Sequence, residues 1–142
     1  MGETSDEAAR RVGIVITRAG ELSNATAQTD GMPRTVAIDE EHAGARALWM
    51  GRVTGEPGMN SQLHHHGEAE SGGFVLSGNC RIYYGDDLQD SFELHPGDFC
   101  YIPPYLPHLE SNPYDEPVEF VTVRSPSNIV VNLAPAERVR PA

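Results

Sequence analysis

Three consecutive histidines, His64, His65 and His66, stand in the segment QLHHHGEAES and are followed by Glu68 and Glu70. Along an extended strand successive side chains face opposite sides, so His64 and His66 share a face that His65 does not. Two imidazoles two residues apart can therefore grip one ion. A facial site needs a third and often a fourth ligand, and the chain offers Glu68, Glu70 and, in PPYLPHLESN, His108. The prolines before His108 fix where the following strand begins. Glu110 lies two residues beyond His108 and on a regular strand faces the same way. It is a catalytic candidate, as a general acid or base, or a carboxylate that orients a ligand. The plain alternatives are a solvated histidine loop and a rim glutamate bonded to water.

The elements that must position these residues are strands. From about residue 44 the runs ARALWMGRV, FVLSG, CRIYYG, SFEL, DFCYIP, VEFVTVR and NIVVNL are rich in β-branched and aromatic residues. Turn formers such as GEPG, GDD, HPGD, SNPYDEP and SPSN separate them. No helical periodicity is sustained, so the chain reads as an all-β sandwich or barrel. Trp49, Tyr83, Phe99 and Tyr101 fall in these runs and read first as core. Tyr83 and Tyr101 could also line a substrate pocket and donate hydrogen bonds there. Arg52 and Arg81 lie in strand-like runs as well; either one, facing inward, would suit a carboxylate substrate. His42 and His95 read as surface residues. Residues 1–43 are expected to form an arm, flexible in part and pairing in part as an edge strand. The barrel domain is expected over 44–134 and a C-terminal tail over 135–142.

Charge and composition exclude several classes. The formal net charge is −11, and all ten basic residues are arginine. So negative a surface repels phosphate backbones and anionic membranes, which leaves no nucleic-acid or membrane partner. The absence of lysine rules out Schiff-base chemistry on a lysine. Cys80 and Cys100 are the only cysteines and no apolar run is long enough to span a bilayer. They read as reduced thiols of a cytoplasmic protein.

The histidine segments resemble the two motifs of the cupin superfamily. The first, G-x5-H-x-H-x3,4-E-x6-G, is met by Gly58, His64, His66, Glu70 and Gly78. The second, G-x5-P-x-G-x2-H-x3-N, is met by Gly97, Pro103, His108 and Asn112, with Tyr105 in place of the glycine. The resemblance implies a single cupin jelly-roll β-barrel, dimeric, with His64, His66, His108 and Glu70 as metal ligands. One departure bears on the last of these. Seven residues separate Glu70 from Gly78, one more than the pattern, so counting back from Gly78 puts Ser71 at the acidic position. Either a bulge brings Glu70 to the metal, or three histidines and water form the site.

The function this implies is a metal-dependent enzyme acting on a small molecule in the barrel, a carboxylate or carbonyl compound. Iron would give oxygenase or oxidase chemistry; zinc, nickel or manganese would give Lewis-acid lyase, isomerase or condensation chemistry. A non-catalytic ligand-binding cupin, or a metal-free one using its histidines as acid and base, are the alternatives.

Overall fold

A computed structural model describes residues 13–85 and 87–134. The first twelve residues of the expected arm and the expected tail over 135–142 lie outside the described residues. Among the described residues, ten strands form two antiparallel five-stranded sheets. The first sheet contains β1 (Arg34–Ile38), β2 (Trp49–Gly55), β4 (Glu70–Ser77), β7 (Phe99–Ile102) and β9 (Val118–Ser125), in the order β1-β2-β9-β4-β7. The second contains β3 (His64–His65), β5 (Cys80–Tyr84), β6 (Asp90–Leu94), β8 (His108–Ser111) and β10 (Val131–Asn132), in the order β10-β3-β8-β5-β6. This is the jelly-roll barrel that the motifs imply.

Alternation along the strands fills the space between the sheets. In β2 Trp49, Gly51, Val53 and Gly55 are buried, and in β9 Val118, Phe120, Thr122 and Arg124 are. The two strands pair in register, Gly55 against Val118 and Trp49 against Arg124. The interior therefore changes along one strand, from Val118 and Phe120 to Thr122 and Arg124. At the apolar end Met32, Val53, Val75, Cys80, Val118 and Phe120 pack as one cluster. Polar side chains occupy the other end, and the chemistry lies there.

The segment expected to be an arm contributes to this interior. β1 pairs with β2, and Met32, Arg34 and Val36 are each 1% exposed or less. A four-residue helix, α1 (Glu40–Ala43), follows β1. Asp39 caps it by accepting from the His42 backbone N–H and facing the His42 ring, and Gly44 ends it in the left-handed region. His42 is thus tied into a surface cap. Gly51 is required by its neighbours, because a Cβ there would lie 2.2 Å from the Thr35 carbonyl oxygen and 2.5 Å from the Trp49 ring.

Candidate metal centre

His64 sits in β3 directly opposite His108 in β8, and His66 follows just beyond the end of β3. The three side chains are buried, with ring centroids 4.4–5.0 Å apart. One ring nitrogen from each lies within 4.8 Å of the others. The period-two reading of HxH thus places both histidines inward, while half-buried His65 accepts from the Gly67 N–H and packs near Tyr105.

Backbone carbonyls fix the imidazole tautomers. Nδ1 of His64 donates to the Gln62 carbonyl at 2.7 Å, Nδ1 of His66 to Ile129 at 2.8 Å, and Nδ1 of His108 to Leu106 at 2.8 Å. With the proton held on Nδ1, each Nε2 turns a lone pair into the barrel. Nε2 of His64 and Nε2 of His108 are buried and have no hydrogen-bond partner. Burial without a partner is costly for such atoms, and a divalent cation is the partner that imidazole lone pairs suit. The residues therefore fit a transition-metal ion.

Nε2 of His66 is engaged. Arg124 donates to it from Nη2 at 2.9 Å, while Nε of the same guanidinium donates to Ser71 Oγ at 2.9 Å and Nη1 to Asn128 Oδ1 at 2.8 Å. The guanidinium carbon also lies 5.5 Å from the centre of the Trp49 ring, within reach of a cation–π contact. On β8, Glu110 is buried beside the imidazoles: Oε2 lies 3.7 Å from His64 Nε2, and Oε1 lies 3.8 Å from His108 Nε2. Arg34 is equally buried, and its Nε and Nη1 have no partner.

This crowding of charges sets the protonation. Burial pushes the His64 imidazolium down to about 3, and the neighbouring His108 adds to the effect against the pull of Glu110. Burial also lowers His66, reinforced by Arg124 and the other two imidazoles, and it lowers His108 despite Glu110. All three are neutral near pH 7, the form in which a histidine ligates. For Glu110 burial favours the neutral acid, but His64, His108 and Arg34 together outweigh it and hold the carboxyl below its ordinary range. Burial disfavours the charge on Arg34, and burial together with Arg34 disfavours it on Arg124.

Glu70 is not brought into this cluster. It is exposed, and its carboxylate accepts from the Tyr101 hydroxyl at 2.7 Å. Of the two alternatives, a bulge that brings Glu70 to the metal or three histidines with water, the first is not met. The irregularity in β4 lies between Val75 and Ser77 in the pairing with β9. Upstream of it Ser71, paired with Arg124, faces inward, and so Glu70 faces out. Ser71 thus stands inside where the motif keeps an acid, and Arg124 is bonded to it. Glu68 is exposed too.

The pocket residues read from sequence are dispersed as well. Arg52 lies between two inward residues of β2 and pairs at 2.6 Å with Glu119, both about one-third exposed. Arg81 pairs with Glu93 at 3.1 Å. Tyr83 alternates with Ile82, and Ile82 is the one that faces the interior. Tyr101 and Phe99, read as core, are 60% and 77% exposed, and both line the cavity between β6 and β7. His95 is exposed beside Asp98 and Glu93. Tyr105, standing for the motif glycine, adopts the left-handed conformation at φ 61°, which costs a residue with a Cβ about 1–2 kcal/mol. Asn112 is fully buried and ties the Gly55 and Glu116 carbonyls together, a structural role.

Arg34 and Arg124 are the interior residues that sequence reasoning missed. Carrying the alternation of VEFVTVR on from Val118 would have put Arg124 inside; Arg34 lay in a segment read as an arm.

Glu110 and His108 each border a space. An inner void of about 20 Å³, bordered by Ser71, Glu110, Thr122 and Arg124, has room for a single water. A cavity of about 690 Å³ opens between the edge strands β6 and β7, with Ile82, Tyr84, Phe92, Ile102, Leu106 and His108 on its wall. That volume lies within the range of small-molecule sites. Of these two spaces, the second has room for an organic molecule, which meets the cluster at His108.

Residues 51–124 match the family model described as the cupin domain. No curated protein matches the sequence. Among solved structures, oxalate decarboxylase from Bacillus subtilis superposes with TM-score 0.66 at 25% identity, over 75% of this chain and 28% of that one. The chain thus spans under a third of that enzyme's length. Another structure of that enzyme, concerned with its Mn(II) centres, gives TM-score 0.68 at 24% identity, over 82% of this chain and 31% of that one. The polyketide cyclase RemF from Streptomyces resistomycificus superposes with TM-score 0.65 at 21% identity, over 80% of this chain and 79% of that one.

Proposed function

The chain belongs to the cupin domain family, and we propose that it is a metal-dependent enzyme acting on a small organic molecule. That molecule has an apolar body and a carbonyl or carboxylate end. The observation that carries this reading is the pair of buried, partnerless Nε2 atoms of His64 and His108, with His108 also on the wall of the 690 Å³ cavity. A bound iron, manganese, zinc or nickel ion supplies Lewis acidity toward the polar end, or oxygenase and oxidase chemistry in the case of iron. The Mn(II) centres of the Bacillus subtilis decarboxylase support manganese within that set.

The chain's own residues supply the rest. The carbonyls of Gln62, Ile129 and Leu106 hold the imidazoles in their ligating tautomer. Ile82, Phe92, Ile102 and Leu106 take up the apolar body and exclude water from it. Glu93 and Asp98 border the same cavity, and their charges disfavour a polyanion. Burial pushes the Cys100 thiol up, so that it stays protonated rather than acting as a thiolate nucleophile. Unpaired Cys80 and Cys100 support a reducing, cytoplasmic setting. Among the described residues no helix is long and apolar enough to cross a membrane.

The test is a panel of aromatic ketones, diketones and small aromatic acids, followed by absorbance and oxygen consumption with protein loaded with iron(II), manganese(II) or zinc(II). Turnover that is lost on chelation and in His108→Ala is the expected result. Turnover that survives chelation, or tight binding of a panel member with no turnover, overturns the reading.

A further inference from the structure

We propose that Glu110 is a ligand of the metal ion, its Oε2 joining His64 Nε2 and His108 Nε2 around the cation. The proposal rests on the metal-dependent reading above and names the acid that completes the site. Three buried acceptors face one another here without a hydrogen between them: His64 Nε2, His108 Nε2 and Glu110 Oε2 all lack a partner. Both Nδ1 atoms donate to carbonyls, so in the neutral tautomer neither Nε2 has a proton to offer. The carboxylate oxygens lie 3.7 and 3.8 Å from the two nitrogens. Those separations are too long for a hydrogen bond, which ends at about 3.2 Å. They suit two ligands of one ion, since atoms each held about 2.0–2.2 Å from a metal lie about 3–4 Å apart.

Position argues against a proton-carrying, rim or histidine-orienting role for Glu110. It does not border the 690 Å³ cavity, so it does not touch a molecule held there. It is buried, at 3% exposure, so it is no rim residue. As a residue that orients a histidine it would have to accept from an Nδ1–H, and those protons are already committed to carbonyls. Glu70 faces solvent with Tyr101, which leaves the inward carboxylate of β8 as the site's acid. Two imidazoles and one carboxylate with open positions form a donor set suited to iron(II), and the carboxylate favours manganese(II) as well. His66 stays bonded to Arg124 beside this set.

The experiment titrates manganese(II) and cobalt(II) into the metal-free full chain and into its Glu110→Gln and Glu70→Gln variants. It uses calorimetry together with the cobalt visible spectrum. Gln keeps the shape of Glu110 and removes its charge. Glu110→Gln is expected to weaken binding at least about tenfold, the low end of what losing even an outer partner of a ligand costs, and to shift the cobalt spectrum. Glu70→Gln should bind as the parent does. Should Glu110→Gln fail to fold, Glu110→Asp serves, with a shortened carboxylate that must alter the cobalt spectrum. Parent-like affinity and spectrum in whichever Glu110 variant folds overturn the assignment and leave the metal-dependent reading standing. No binding by the parent chain overturns both.

Discussion

Arg124 donates a hydrogen bond from Nη2 to Nε2 of His66 at 2.9 Å. The lone pair that this histidine would give a metal is therefore shared with a buried guanidinium. Arg124 is held from three further sides, by Ser71, Asn128 and the Trp49 ring. A cation held on His64 and His108 would meet the like charge of this guanidinium, so Arg124 would limit how tightly the site holds an ion. Arg124→Met removes a positive charge at similar volume, a change that buried ionic groups often tolerate. We expect its affinity for manganese(II) to rise about tenfold or more, as loss of one nearby like charge predicts. Calorimetric titration reads this directly, and unchanged or weaker binding would contradict it.

The imidazoles and the outward glutamate should behave differently on truncation. His64→Ala and His108→Ala each remove a partnerless inward nitrogen. After equilibrium dialysis against manganese(II) they should retain almost no metal. Glu70→Ala, which loses only a surface contact with Tyr101, should retain as much as the parent chain. Metal loss in Glu70→Ala would mean that the carboxylate turns inward in solution.

Acid should destabilise the metal-free protein. Folded His64 and His108 have pKa values below the ordinary imidazole value, His64 at about 3, whereas the unfolded chain takes up protons near pH 6.5. Between those limits the unfolded state binds more protons, so stability is full above about pH 7 and falls as the pH drops. Thermal melts of chelated protein should show Tm lower by at least about 5 °C at pH 5 than at pH 7.5. A flat or rising Tm would show that the imidazoles are not buried neutral.

The barrel and the histidine centre were legible because strand alternation has a strict period of two. His64 and His66 follow from it, His108 follows from the spacing of the second motif, and Glu110 follows from its parity with His108. Alternation fails where the chain turns. After His66 the backbone folds back, with the Ala69 N–H donating to the His66 carbonyl, and the count restarts so that Ser71 rather than Glu70 faces inward. The same rule, carried along β9, reaches Arg124 from Val118. Arg52 would suit a carboxylate only if it faced inward, and its place between Gly51 and Val53 turns it outward to Glu119. Arg34 was hidden because a polar stretch before the first strong β run gives no sign that it enters the interior.

The central claim is that this barrel holds a metal ion on His64 and His108. Elemental analysis of protein purified without added metal tests it most directly. We predict about one equivalent of a transition metal per chain, removed by chelation and recovered on reconstitution. Less than about 0.2 equivalents, with no uptake on reconstitution, would contradict the claim.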